Sequence, residues 1–172
     1  MDAVEDRYRP AFHEAEDFWE SVIEGYRTPG LAALGTSLEI NVAVAPNDGV
    51  GGILGSAGPV TGFSDGNFVL PDTGVMSFDS ADVERLLLDG TLGAVIVHEM
   101  AHVMGFGTLW GHNGLYVAGS GEYTGAVALS VYRQEFDPTA TFIPVELDGG
   151  PGTANGHWDE DGFAPDASGH LD

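Results

Sequence analysis

The stretch TLGAVIVHEMAHVMG, residues 91–105, constrains what the rest of this chain can be. At helical spacing it is apolar on every side apart from His98, Glu99 and His102, so it must be surrounded by other elements and not laid on a surface. Thr91 stands where an N-cap belongs, and Gly105 where a left-handed residue closes a helix. The chain must therefore build a core around one buried helix. With 172 residues, 43% of them hydrophobic, it has the material to do so as one domain with two lobes.

The partners of that helix can be read along the chain. RPAFHEAEDFWESVIEGY, residues 9–26, is expected to form an amphipathic helix with Pro10 in its first turn. Phe12, Ala15, Trp19, Val22, Ile23 and Tyr26 share its apolar side, and Thr28-Pro29-Gly30 ends it. SLEINVAVA alternates, with Leu38, Ile40, Val42 and Val44 on one face, and is the clearest strand. PNDGVGGILGSAGPV reads as a bulged strand or a wide turn. Its glycines fit neither the Walker nor the dinucleotide spacing, and the chain has no Lys to meet a phosphate. GVMSFD reads as a short edge strand. DSADVERLLLDG gives a short helix, capped by Asp79 or Ser80 and broken by Gly90. Beyond Gly105, the natural lobe boundary, the composition turns to Gly, Asp, Pro and aromatics. There TGAVALSVYRQEF is expected as a helix and TFIPVEL as a strand, with loops elsewhere.

Charge and cysteine content exclude several functions. Five Arg and no Lys stand against 27 Asp and Glu, a formal net charge of −22. Such a surface repels phosphate backbones and anionic lipid, so nucleic-acid and membrane-surface binding are not expected. The acid excess reads as a solvated surface suited to a salty medium, with sites for hard cations as the competing reading. Without cysteine there is neither a disulfide framework nor a thiolate metal site, so a transition-metal site must use His and carboxylate. No apolar stretch reaches the roughly 18 residues of a membrane span. MDAVEDRYRP lacks the apolar centre of a signal peptide, so an export signal would lie outside this chain.

Residues four apart on a helix share a face, so His98 and His102 can aim both imidazoles at one ion. Zinc suits neutral imidazole in a tetrahedral site with a position left for water. It brings the pKa of that water down to about 7 in favourable sites. Glu99, one step round the helix, can then take a proton as the water attacks a carbonyl and pass it to the leaving amine. The competing reading is a buried helix with two satisfied core histidines, which the loss of solvation disfavours unless both are paired. Gly105 would let the chain swing back under the metal, as in metzincins and unlike the thermolysin type. The short metzincin spacing would put a third ligand at position 108, where the chain has Thr108. His13 reads as a surface residue of the first helix and His170 as part of the terminus. That leaves His112, His157, or a carboxylate from Glu122, Glu135 or Glu146.

HEMAHVMGFGTLW, YTGAVALSVY and IPVELDGGPGTANGHWDE, in that order, resemble the leishmanolysin-like metalloproteases, in particular their cysteine-free bacterial branch. The resemblance spans about residues 35–160. In that family an insertion separates the helix glycine from the third histidine. The resemblance therefore implies zinc ligands His98, His102 and His157, with Glu99 as general base. It implies an α+β, metzincin-like catalytic domain over residues 1–172. Residues 1–104 would form an N-terminal lobe with a twisted mixed sheet and the active helix, and 105–172 a loop-rich C-terminal lobe. It places the GVMSFD strand beside the cleft, where an extended peptide could pair with it. The activity implied is that of a secreted or cell-surface zinc endopeptidase that attacks protein or peptide bonds with a zinc-bound water activated by Glu99. Metzincins carry a methionine turn shortly after the third ligand. The last methionine here is Met104, so the chain is expected to stop short of that turn. Asp159, Asp161 and Asp166 suggest a calcium loop, although DEDGFAPDASGHLD does not fit the EF-hand pattern and reads more simply as an acidic tail. The rival from another class is a metal-stabilised, non-catalytic module of a larger surface or adhesive protein. The intact Glu99 counts against it.

Overall fold

A computed structural model describes residues 4–25, 37–160 and 163. Among these residues the chain is α+β, with four helices, a three-stranded mixed sheet and a two-stranded ladder. It divides into two compact units, Met1–Gly105 and Phe106–Asp172. No helix among the described residues is long and apolar enough to cross a membrane.

The first unit is built on β1 (Glu39–Ala45), β2 (Gly55–Asp65) and β3 (Phe68–Asp79). β3 is the central strand, parallel to β1 and antiparallel to β2. The expected alternation holds in β1, where Ile40, Val42 and Val44 pack on the core. GVMSFD is not an edge strand. It is the second half of a twelve-residue strand with both edges already paired, so it has no free edge to offer a peptide. The partner that encloses it is β2, reached through the two-residue connection Gly66–Asn67, with Gly66 left-handed at φ 60°. The bulged strand expected in the glycine-rich stretch is present in β2, where the register shifts between Pro59 and Gly62.

Helices α1 (Arg9–Val22), α2 (Ser80–Asp89) and α3 (Leu92–Val103) complete this unit. Phe12 and Ala15 of α1 are buried, and Phe12 meets Phe78 edge to face at 5.5 Å between centroids. α1 ends earlier than its apolar pattern suggests. Ile23 is already extended, Gly25 has φ 127°, and Val22 and Ile23 are exposed. Tyr26 and Thr28-Pro29-Gly30 fall outside the described residues. α2 is capped by Asp79, whose carboxylate accepts the Ala81 N–H, and it closes on left-handed Gly90. α3 runs through the core, with Ile96 and Val103 fully buried. Gly74 of β3 has no side chain because Val103 occupies the space a Cβ would take.

In the second unit, α4 (Ala126–Glu135) appears where expected. TFIPVEL gives only β5 (Ile143–Pro144), paired with β4 (Glu122–Tyr123). A proline within so short a run limits the ladder. The core of this unit is largely aromatic. Trp110 stacks on Trp158 at 4.4 Å between centroids, and Tyr123 meets Trp158 edge to face.

Candidate metal centre

α3 places His98 and His102 one turn apart, and their Nε2 atoms lie 3.1 Å from each other. Two imidazole nitrogens on one tetrahedral zinc, each about 2.0–2.1 Å from it, would stand roughly 3.3 Å apart. The pair thus fits the metal with little rearrangement. The rings stand nearly perpendicular, at 83°. His98 is exposed and His102 half-buried. Trp19 of α1 steadies the turn before them by donating its indole N–H to the Val97 carbonyl at 3.1 Å.

Glu99 faces inward from the same turn and is 6% exposed. Its Oε2 is buried with no hydrogen-bond partner among the described residues. Burial pushes its carboxyl up to about 7, because loss of solvation penalises the charged form. A carboxylate with a proton affinity near neutrality can accept and return a proton at physiological pH. Gly55, the first residue of β2, comes close to this carboxylate. A Cβ built on Gly55 would stand 2.8 Å from Glu99 Oε1. The sequence offered no sign of this approach, since residues 55 and 99 are joined only by the fold.

The sheet end beside Glu99 is tied down by two buried aspartates, Asp79 and Asp82, which the sequence marks only as the cap and first turn of a helix. Asp79 accepts N–H groups from Ala81 at 2.8 Å, Gly49 at 2.8 Å and Asp48 at 3.0 Å. The bond from Ala81 first, then those from Gly49 and Asp48, hold its carboxyl below the usual carboxylate range against the effect of burial. Asp82 accepts from Gly51 at 3.0 Å and pairs with Arg85 at 2.9 Å. No local rule joins these aspartates to residues 48–51, some thirty positions away, so the sequence carried no signal for the contacts.

In the second unit, His157 sits at the end of the GGPGTANGH turn. Its Nδ1 lies 2.9 Å from the Thr153 carbonyl oxygen, which can only accept, so the neutral ring held this way carries its proton on Nδ1 and its lone pair on Nε2. The turn is held from several sides. Left-handed Asn155 (φ 68°) accepts from the Tyr116 hydroxyl at 2.6 Å and from the Gly119 N–H at 2.7 Å. The His157 carbonyl accepts the Glu146 N–H at 3.0 Å, and Trp158 is anchored on Trp110. Left-handed Gly107 (φ 70°) leaves the space that the Gly156 backbone fills.

The other candidates are dispersed. His13 is exposed, with Nδ1 2.9 Å from Glu16. His112 lies exposed in the turn after Trp110, and Glu122 and Glu135 are exposed. Glu146 groups with Asp159 and Glu160, their ligand atoms within 4.8 Å of one another, and its carboxylate accepts the Asp148 N–H. Asp161, Asp166 and His170 lie outside the described residues. Comparison with models of protein families and with curated proteins finds no match for the chain.

Proposed function

We propose that this chain is a zinc-dependent endopeptidase similar to the leishmanolysin-like metzincins, with His98, His102 and His157 as metal ligands and Glu99 as general base. The observation that carries it is one helical turn holding two imidazole nitrogens 3.1 Å apart beside a buried carboxylate, one oxygen of which has no hydrogen-bond partner among the described residues. A core helix with structural histidines accounts for the pair but leaves the burial of Glu99 uncompensated. A purely structural metal site has no use for a base either.

In this reading the first unit is the N-terminal lobe, ending at Gly105 with the active helix, and residues 106–172 form the loop-rich C-terminal lobe. Zinc, when bound, would lower the pKa of a coordinated water towards neutrality and polarise a peptide carbonyl. Glu99 accepts the proton from the attacking water and returns it to the amine nitrogen as the C–N bond breaks. The tautomer imposed on His157 by the Thr153 carbonyl presents Nε2, the nitrogen that a metal needs. The substrate is a protein or peptide met outside the cell or at its surface.

Zinc per chain, measured after dialysis against a weak chelator in the parent and in His157→Ala, tests the ligand set. One equivalent in the parent and much less in the variant is expected. Equal zinc in both would move the third ligand to His112 or a carboxylate. Cleavage of an unstructured protein by Glu99→Ala at the parent's rate would remove Glu99 as base.

A further inference from the structure

We infer that Gly55 is a positioning residue for the Glu99 carboxylate: by carrying no side chain it leaves open the space the carboxylate occupies, and so fixes where the base sits. This rests on the reading of Glu99 as general base. A Cβ at position 55 would stand 2.8 Å from Oε1 and 3.1 Å from both Cδ and Cγ of Glu99. Carbon atoms in comfortable contact lie about 3.5–4.0 Å apart. Gly55 is not among the left-handed glycines, so its backbone suits any residue, and what requires glycine there is space.

The strand cannot simply move aside. Gly55 pairs with Phe78 in the β2–β3 ladder, and Phe78 is buried against Phe12. One residue earlier, the Leu54 carbonyl accepts the Asp79 N–H at 3.1 Å. The loop before it is clamped by Asp79 on Asp48 and Gly49, and by Asp82 on Gly51. Asp48 in turn accepts the Ile53 N–H at 3.0 Å. The entrance to β2 is thus bound to the start of α2 and to β3, whereas the Glu99 side chain has rotatable bonds and an oxygen with no hydrogen-bond partner among the described residues. A methyl group at position 55 displaces the carboxylate and leaves the strand in place.

The test measures steady-state hydrolysis of an unstructured protein by the zinc-loaded parent, Gly55→Ala, Gly58→Ala, Glu99→Ala and the double variant Gly55→Ala/Glu99→Ala. Gly58 lies on the same strand, and a Cβ there meets nothing within 4 Å, so Gly58→Ala is expected to keep the parent's kinetics. A misplacement of about 1 Å can cost on the order of 100-fold in rate. Gly55→Ala is therefore expected to lose roughly 10- to 100-fold in kcat, with KM and zinc content near the parent's. In the Glu99→Ala background the same substitution is expected to change nothing, because the group it displaces is gone. Kinetics for Gly55→Ala like those of Gly58→Ala would overturn the positioning role while leaving Glu99 as base, provided that Glu99→Ala is slow. A parent no faster than Glu99→Ala would overturn both. The melting temperature closes the same cycle if Gly55→Ala folds poorly. Loss confined to the Glu99 background supports the contact, and equal loss in both backgrounds reduces Gly55 to a structural role and overturns the inference.

Discussion

Glu99 and Asp79 are both buried acids, and the structure treats them in opposite ways. Glu99 has an oxygen without a hydrogen-bond partner among the described residues, so its charge destabilises the fold that contains it. In the zinc-free protein at pH 8, Glu99→Gln is expected to raise the melting temperature, by an amount corresponding to about 1–3 kcal/mol. Hydrolysis by the same variant should fall roughly 100- to 10,000-fold. Calorimetry and a rate assay on one preparation check both, and a lower melting temperature would mean that Glu99 is better satisfied than its geometry implies. Asp79 is surrounded by N–H donors and its pKa is depressed. An acid with a lower pKa folded than unfolded contributes stability that is present at neutral pH and is lost as the pH falls through the folded value. The parent's melting temperature should therefore drop on acidification below about 4, the ordinary carboxylate range. Asp79→Asn should start lower at pH 7 and show a flatter acid limb in the same series of melts. His98, Glu99 and His102 could be found by spacing, and Asp79 by its place before a helix. Its hold on residues 48 and 49 could not be read, nor could the approach of Gly55 to Glu99, because those pairs meet only after the sheet has formed.

Elements were legible where one local rule sufficed. β1 shows its alternation, and α2 and α3 carry their stop signals in Gly90 and Gly105, both left-handed in the structure. β3 misled because alternation reports which face is buried and is silent on how many neighbours a strand has. Its central place depends on the β2–β3 hairpin, whose signal was the Gly66-Asn67 pair at the turn. α1 misled because Val22 and Ile23 continue the apolar period past the point where the helix has a core to meet. Since Gly66 sits at φ 60°, Gly66→Val places a β-branched residue where it is strained. A loss of about 1–3 kcal/mol is expected, read as a lower urea midpoint. An unchanged midpoint would show that the register of β2 against β3 does not depend on this turn.

At the scale of the whole molecule, the α+β class, the mixed sheet and α4 followed from the sequence, but the core of the second unit did not. That core combines aromatic rings from turns, β4 and α4 with Leu129, Ile143 and Val145, and so has no single period to detect. The net charge of −22 acts on every part of the chain at once. Arg7, Arg9 and Arg85 pair with nearby acids, yet such exposed pairs contribute little each, and the remaining acids repel one another. Salt screens this repulsion, with a Debye length of about 10 Å at 0.1 M and about 3 Å at 1 M. The melting temperature is therefore expected to rise as sodium chloride is raised across that range. A flat or falling response would mean that self-repulsion does not limit the stability of this protein.

The hold on His157 has a consequence for how this chain can drift. Thr153 contributes its carbonyl oxygen, an atom every amino acid possesses, so a replacement at position 153 leaves the imidazole's orientation intact. Asn155 contributes a left-handed backbone and a side-chain oxygen that binds Tyr116 and Gly119, and few residues can supply both. The orientation of the imidazole is thus inherited through the path of the loop. In a library of variants the sensitive position should be two residues before the histidine, while the residue that touches it stays free to vary.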